Sequence, residues 1–431
     1  MGEVIVLNDL AFWGSIVVFI ITYAIIISEK IHRMVIAMAG GLVMVLLGFI
    51  SQETAVKEDI DFNTLGLLIG MMILVAITRR TGVFEAIAVW AALLTKGKPL
   101  RLLALLSIIT AFASAFLDNV TTVLLIVPVT ITLTDKLQIN PTPYLISEII
   151  ASNIGGTATL IGDPPNIMIG SIAGLSFNDF IIHLAPVAFL ILLITIGLLL
   201  FIYRKDLQVD EKSRKALLKL NYKDEIKDWQ LLKKSLWVLG LTIIGFSLHG
   251  VFHLESAVIA LSGAILLIIL SSEEPEDILL HVEWPTIFFF TGLFVLVGGL
   301  KATGVIGELA SWSLAITDGN IMKTSLLILW VSAIASAFID NIPFVATMIP
   351  MLQEMGRLSG LNLEPVWWSL ALGACLGGNG TLIGASANVI VAGIAEKNGI
   401  SLSFRQFMKI SFPLMIISII ISNIYIYFRY F

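Results

Sequence analysis

Residues 112–134 read FASAFLDNVTTVLLIVPVTITLT, and residues 334–356 read IASAFIDNIPFVATMIPMLQEMG. A second shared stretch follows each: ASNIGGTATLIGDPPNIMIG at 151–170 and GACLGGNGTLIGASANVIVA at 373–392. One constant offset of 222 positions superimposes both pairs, placing Asp118 on Asp340, Asn119 on Asn341, Pro128 on Pro350 and Asn166 on Asn388. Gly155-Gly156 falls on Gly377-Gly378, and the Thr-Leu-Ile-Gly that starts at Thr159 falls on the one at Thr381. The offset still holds upstream, where Arg79, Arg80, Thr81, Gly82 and Val83 meet Lys301, Ala302, Thr303, Gly304 and Val305. An ungapped match of this length is an internal duplication.

The solvent around this chain follows from its composition. It is 58% hydrophobic and 13% charged, with a mean hydropathy of +0.97. A soluble core cannot hide that much apolar surface, so lipid is the solvent. Apolar runs of about 18–20 residues recur along the whole chain, beyond what one signal peptide or anchor needs. The net charge of −5 says little, because the charges sit in a few loops and polar breaks. The lone Cys375 excludes a disulfide framework and a thiolate cluster. The five histidines lack ligand spacing and no phosphate-binding loop is present, so neither a resident metal nor a cofactor is expected, and no enzyme or nucleic-acid binder.

Apolar spans are expected at about 11–28, 34–50 and 62–78, with basic residues after the first and third and the acidic 53–61 loop after the second. Basic ends mark the cytoplasm, which puts the N-terminus outside. Residues 83–95 are too short to span and read as a helix on the cytoplasmic interface. Two half-length pieces, about 101–117 and 120–134, meet at Asp118-Asn119 and have basic residues at both outer ends. They read as a re-entrant hairpin, because irregular backbone at membrane depth must be buried in protein or line a cavity. A span at 143–174 is interrupted between Gly155 and Pro165, and another at 180–203 closes the half. The 204–234 segment, with ten Lys and Arg against six acids, reads as a solvated cytoplasmic connector.

The plan then repeats over 235–428, ending outside. The expected fold is therefore an all-α polytopic membrane protein of two repeats, 11–203 and 235–428, joined by the 204–234 loop. Each repeat has five spans, one re-entrant hairpin and one broken helix. Five is odd, so the two copies lie inverted, and inverted repeats with discontinuous helices point to a secondary transporter with its site near the midplane.

Interrupted helices leave N–H and C=O groups to be satisfied inside the bilayer. Gly155, Gly156 and their mates let the chain leave the helix and approach a ligand; Pro164, Pro165 and Pro343 suit helix restarts. Asp118, Asp163 and Asp340 are the candidate proton-coupling groups. A carboxylate at the bilayer centre costs at least roughly 2.5–3.5 kcal/mol, and no Lys or Arg lies within the breaks, so H⁺ or Na⁺ is the expected counterion. Asp163 maps to Ala385, Glu148 to Leu370 and Asn153 to Cys375, which gives the first repeat the richer polar chemistry. The plainer reading makes Asp118, Asp340 and Asp163 helix caps, the paired glycines a packing device and Cys375 a small apolar residue. On the same terms Glu148 snorkels from a helix end, His183 is interfacial, and Trp367 and Trp368 anchor at the membrane interface.

The motifs FLDNVTTVLLIVP, FIDNIPFVATMIP, GGTATLIGDPPN and GGNGTLIGASANVIVAGIAEKNG resemble those of the ion-transporter superfamily. That group includes arsenite efflux pumps, NhaD-type sodium/proton antiporters, the melanosomal P protein and the divalent-anion/sodium symporters. Asp-Asn-Val and Asp-Asn-Ile stand where the dicarboxylate branch has Ser-Asn-Thr, so the resemblance is to the arsenite-pump and P-protein branch. It implies a scaffold and a transport domain, a homodimer, and elevator-like movement in the plasma or inner membrane. It also implies a site lined by Asp118, Asn119, Thr121, Asn153, Gly155, Gly156, Thr157, Asp163, Asn166, Asp340, Asn341, Gly378, Asn379, Thr381 and Asn388. The expected activity is proton-coupled efflux of arsenite or antimonite, a small inorganic oxyacid, with a cytosolic ATPase as partner in some members. A Na⁺/H⁺ antiporter and an anion or carboxylate transporter are the alternatives.

Overall fold

The computed structural model describes residues 2–28, 30–252 and 254–431, and every regular element among them is helical. Nine helices among the described residues are long and apolar enough to cross a membrane. Their outward faces carry Trp13, Phe112, Phe189 and Phe428, all exposed. Intrahelical bonding leaves such segments no unpaired backbone to show to lipid.

The duplication recurs in the element bounds. Phe62–Arg80 pairs with Trp284–Ala302, Val83–Leu94 with Val305–Ile316, Pro99–Phe116 with Ile321–Phe338, and Asn119–Leu137 with Asn341–Ser359. Each pair starts at the offset read from the sequence. Both twelve-residue helices begin after a left-handed glycine, Gly82 at φ +78° and Gly304 at φ +86°, a conformation that side chains resist.

Three expectations are corrected. The second helix runs over Arg33–Leu46 rather than 34–50, and its 14 residues span only about 21 Å. Gly48, at φ +72°, stops it while Phe49 N–H bonds the Met44 carbonyl at 3.0 Å, a Schellman ending. Val83–Leu94 does not lie free on a surface: Phe84, Ala86, Ala88, Val89, Ala91 and Ala92 are buried. The 204–234 connector is not merely solvated either. It folds into Glu211–Leu217 and a turn at Tyr222–Glu225 and buries Leu207 and Leu217. Lys227 N–H bonds the Thr81 carbonyl at 2.9 Å, and the next helix starts at Trp229 rather than 235.

The helices sort into two packed groups. One holds Gly2–Ser28, Arg33–Leu46, Phe62–Arg80, Trp229–Phe252, Ser256–Ser271 and Trp284–Ala302. The other holds the hairpins, the broken spans and the closing helices Ala185–Tyr203 and Phe404–Tyr430. Within the first group each half's third span crosses the other half's second. A Cβ on Gly70 would sit 2.6 Å from the Ala260 backbone, and one on its mate Gly292 2.5 Å from that of Ala37. Small residues allow such close approach in lipid, where packing rather than water exclusion drives association. Asp59 pairs with Lys301 at 3.3 Å beyond one end of Phe62–Arg80, and Arg80 pairs with Glu273 at the other.

Candidate functional site

Both hairpins turn at an aspartate. Asp118 caps Asn119–Leu137, accepting the Thr121 N–H at 2.8 Å and the Thr121 hydroxyl. Asp340 caps Asn341–Ser359 through the Ile342 N–H at 3.1 Å. The capping role is thus real at both, and Thr121 is part of a cap. Asp163 precedes Pro164–Ala173 but makes no side-chain cap bond. Its carboxylate instead accepts the Asn341 amide at 3.2 Å, joining the first broken span to the tip of the second hairpin.

The breaks are pinned from within. The Asn166 amide donates to the carbonyls of Gly156, Thr157 and Thr159 at 3.3, 3.2 and 2.9 Å. Its mate Asn388 donates to Gly378 and Thr381 at 2.7 and 2.8 Å. Those carbonyls are the acceptors an interrupted helix orphans. Thr159 and Thr381 tie each break to the neighbouring hairpin through the carbonyls of Ala115 and Ala337, and Thr157 bonds back to the Asn153 carbonyl at 2.7 Å. Asn166, Asn388, Thr157 and Thr381, expected to face a ligand, each donate to backbone carbonyls here. The glycines do likewise: a Cβ on Gly155 would lie 2.0 Å from the Ala111 carbonyl oxygen, and one on Gly156 2.5 Å from that of Gly162. A Cβ on Gly378 would meet Ala385 at 3.0 Å. Close backbone packing, rather than approach to a ligand, is what they permit here.

Between the breaks lies an asparagine centre. Asn119 donates to Asn153 at 3.3 Å, and the Asn153 amide donates to the side-chain oxygens of Asn379 and Asn388, both at 2.9 Å. The Cys375 thiol donates to Asn166 at 3.4 Å, so Cys375 is not a bystander. Asn153, Asp163, Asn166, Asn379 and Asn388 are all buried. No group of three or more His, Cys, Asp or Glu side chains among the described residues is arranged to hold a metal.

The open space lies to one side. A cavity of about 250 Å³ is lined by Tyr23, His32, Arg33, Phe338, Asp340 and Ser386, among others. Arg33 Nη1 lies 2.7 Å from Asp340 Oδ2 and 2.7 Å from the Ser386 hydroxyl, which itself donates to Asp340 at 2.6 Å. The guanidinium also sits 5.0 Å over the Phe289 ring, a cation–π arrangement. The expectation that no fixed positive charge reaches the breaks is therefore corrected. Arg33 and Ser386 are the residues that sequence reasoning missed. Arg33 reads as a topology marker in the sequence, and its partner is 307 positions away.

Further bonds join the two helix groups around this site. Tyr23 OH donates to the Pro343 carbonyl at 2.6 Å and lies 2.9 Å from the Thr347 hydroxyl. On the other break, Ser171 donates to Asp61 at 3.0 Å and accepts from Asn63 at 2.9 Å. Glu148 and Trp368 also depart from expectation. Glu148 is fully buried and does not snorkel. Trp368 is buried, with its ring stacked 4.8 Å from that of half-buried His183, rather than anchored at an interface.

Membrane-length helices, two polar hairpin tips and two interrupted spans define a multi-pass membrane transporter, not an enzyme. The citrate transporter family model (CitMHS) matches residues 23–373, and the chain belongs to that family. It is 44% identical over 422 residues to an uncharacterised transporter of Mycobacterium bovis, covering 97% of this chain and 98% of that one. A 46 kDa membrane protein of Mycobacterium leprae is 43% identical over 421 residues, covering 96% and 98% of the two chains. The human P protein is 38% identical over 487 residues, covering 94% of this chain and 58% of its own length. The YdaH transporter of Alcanivorax borkumensis shares the fold, with a TM-score of 0.62 at 13% identity and 97% coverage of both chains. The family match is thus to citrate transporters, and none of these relatives is named as an arsenite pump.

Proposed function

We propose that this protein is a secondary active transporter of a small organic anion of the carboxylate class, coupled to H⁺ or Na⁺. The observation that carries this reading is Arg33 in the cavity. Its Nη1 serves Asp340 and Ser386, and its other N–H groups donate to no protein atom among the described residues. A planar guanidinium with a free edge matches a carboxylate in two parallel hydrogen bonds. Membership of the citrate transporter family points to the same chemistry. Arsenite, mostly uncharged at neutral pH, has no use for that group, and exchange of Na⁺ for H⁺ needs no bound anion to occupy its free edge.

The same geometry suggests how coupling arises. Arg33 belongs to the first helix group, the scaffold in this reading, and Asp340 to the second, which moves. When the hairpin tip leaves Arg33, the Asp340 carboxylate loses its counterion at membrane depth and must take up a proton or Na⁺. An incoming carboxylate that claims Arg33 favours that departure. Asp118 and Asp163 are further sites where the coupling ion binds, and Asn119, Asn153, Asn341 and Asn379 form the polar path between them. In this reading the halves are inverted, which the ion pairs at opposite ends of Phe62–Arg80 support, and both termini lie outside. A homodimer fixes the scaffold while the second group shifts as an elevator.

The test is uptake by proteoliposomes of the full chain under an imposed proton or Na⁺ gradient, with citrate and arsenite in parallel. Citrate accumulation is expected, falling at least about tenfold in Arg33→Gln, the equivalent of one charge-assisted hydrogen bond. Arsenite accumulation that ignores Arg33→Gln, with no citrate uptake, would overturn the carboxylate reading.

A further inference from the structure

Glu148 is an acid for which the site just described has no use. It lies on Thr142–Thr157, six residues from the helix start and five before Asn153, so about 7.5 Å along the axis separates it from the asparagine centre. The side chain is fully buried. One carboxyl oxygen accepts the Thr130 hydroxyl at 2.6 Å, and the other has no hydrogen-bond partner. Its repeat mate is Leu370, so packing at this point of the fold accepts a leucine and does not call for an acid.

No charge compensates it. Six elements pack against Thr142–Thr157: Pro99–Phe116, Asn119–Leu137, Ala185–Tyr203, Glu364–Gly377, Ser386–Lys397 and Phe404–Tyr430. Among the described residues none of those six brings a Lys, Arg or His into a hydrogen bond or ion pair with Glu148, whose single side-chain partner is the Thr130 hydroxyl. Tyr144, four residues earlier on the same helix, brings no compensating charge: its hydroxyl donates to the Pro99 carbonyl at 2.9 Å. An ionised carboxylate with no cation, and with one oxygen unbonded, is the costly arrangement in a low-dielectric interior. The neutral acid, whose O–H sits on the unbonded oxygen, is the form this pocket accommodates.

We propose that Glu148 is a further proton-carrying group of the transport cycle, set between the Thr142 end of the broken span and the asparagine centre. In each cycle its carboxylate takes one proton from one aqueous phase, crosses as the neutral acid and releases that proton to the other phase. The helix that carries it also carries Asn153, and the Thr130 that bonds it lies on the hairpin helix that Asp118 caps. Movement at either one disturbs the single bond that holds Glu148. The proposal rests on the transporter reading but not on the identity of the anion.

The test uses the full chain in liposomes, with Glu148→Gln, which keeps an acceptor for Thr130, and Glu148→Leu, which copies the second repeat. Infrared difference spectra across a pH titration report the C=O stretch that a protonated carboxyl shows and a carboxylate lacks. Beyond the bands of Asp59 and the site aspartates, the wild type is expected to show one such band that disappears as pH rises, and both variants to lack that one. With citrate as the probe, proton movement measured by an internal dye should fall at least about tenfold in Glu148→Gln, and citrate/citrate exchange far less. Titrating bands of equal total intensity in the wild type and both variants would overturn the proposal. So would proton movement unchanged in Glu148→Gln, or net transport and exchange lost in equal measure. If citrate is not carried, the infrared titration alone decides.

Discussion

Replacing Arg33 by methionine keeps an aliphatic stem against Phe289 and removes the guanidinium from Asp340 and Ser386. The side chains of the pair are 31% and 16% exposed. A fully buried pair that loses one partner costs roughly 3–5 kcal/mol, and an exposed pair rarely exceeds about 1 kcal/mol. This pair lies between those limits, so Arg33→Met should destabilise by about 2 kcal/mol, mostly because Asp340 is left charged and unpaired. Asp340→Asn removes that charge while keeping an acceptor for the Ile342 N–H. The double variant Arg33→Met/Asp340→Asn should therefore be less destabilised than the sum of the two single changes by about 1–2 kcal/mol. Unfolding free energies of the four proteins in detergent, from a reversible denaturant titration, measure that coupling directly. Additivity within about 0.5 kcal/mol would refute the Arg33–Asp340 interaction and with it the charge argument for coupling.

Two further outcomes follow from the geometry. Asn153→Leu removes the bonds to Asn119, Asn379 and Asn388 and leaves buried amide groups unpaired at about 1–3 kcal/mol each. Its melting temperature and transport rate should both fall, and unchanged transport would show that the asparagine centre is dispensable. Burial pushes the Asp59 carboxyl above its usual range, with Lys301 acting against that shift. A carboxyl raised in this way is most stabilising when protonated, and that stability is lost as pH rises from about 4 through its folded value. Lys301→Met removes the opposing charge, so its melting temperature should fall more steeply from acid to neutral pH than the wild type's. Asp59→Asn/Lys301→Met should not share that extra slope, and equal slopes in all three would sink the assignment.

Much of the fold was legible because the duplication marks it twice. The hairpin pieces expected at 101–117 and 120–134 are Pro99–Phe116 and Asn119–Leu137, and the expected break from Gly155 to Pro165 opens after Thr157 and closes at Pro164. A polar pair inside an apolar run is a local signal, and bilayer physics gives it few structural outcomes. The roles of individual side chains were less legible. Asn166 and Asn388 look like ligands in a sequence, but the carbonyls they pin belong to a turn whose path only the folded backbone shows. Glu148 sits close enough to a helix start to suggest snorkelling. That expectation fails because six other elements surround its helix.

The sequence by itself determined a lipid-embedded chain of two related halves with interrupted helices, because hydropathy and repetition act along the chain. The tertiary structure alone decided which charges meet. Arg33 reaches Asp340 across 307 positions because two packed helix groups face each other there. Asn153 bridges the halves because both breaks converge on one point. Coulomb and hydrogen-bond energies depend on distances in space of a few ångströms, and those distances exist only once the helices have packed.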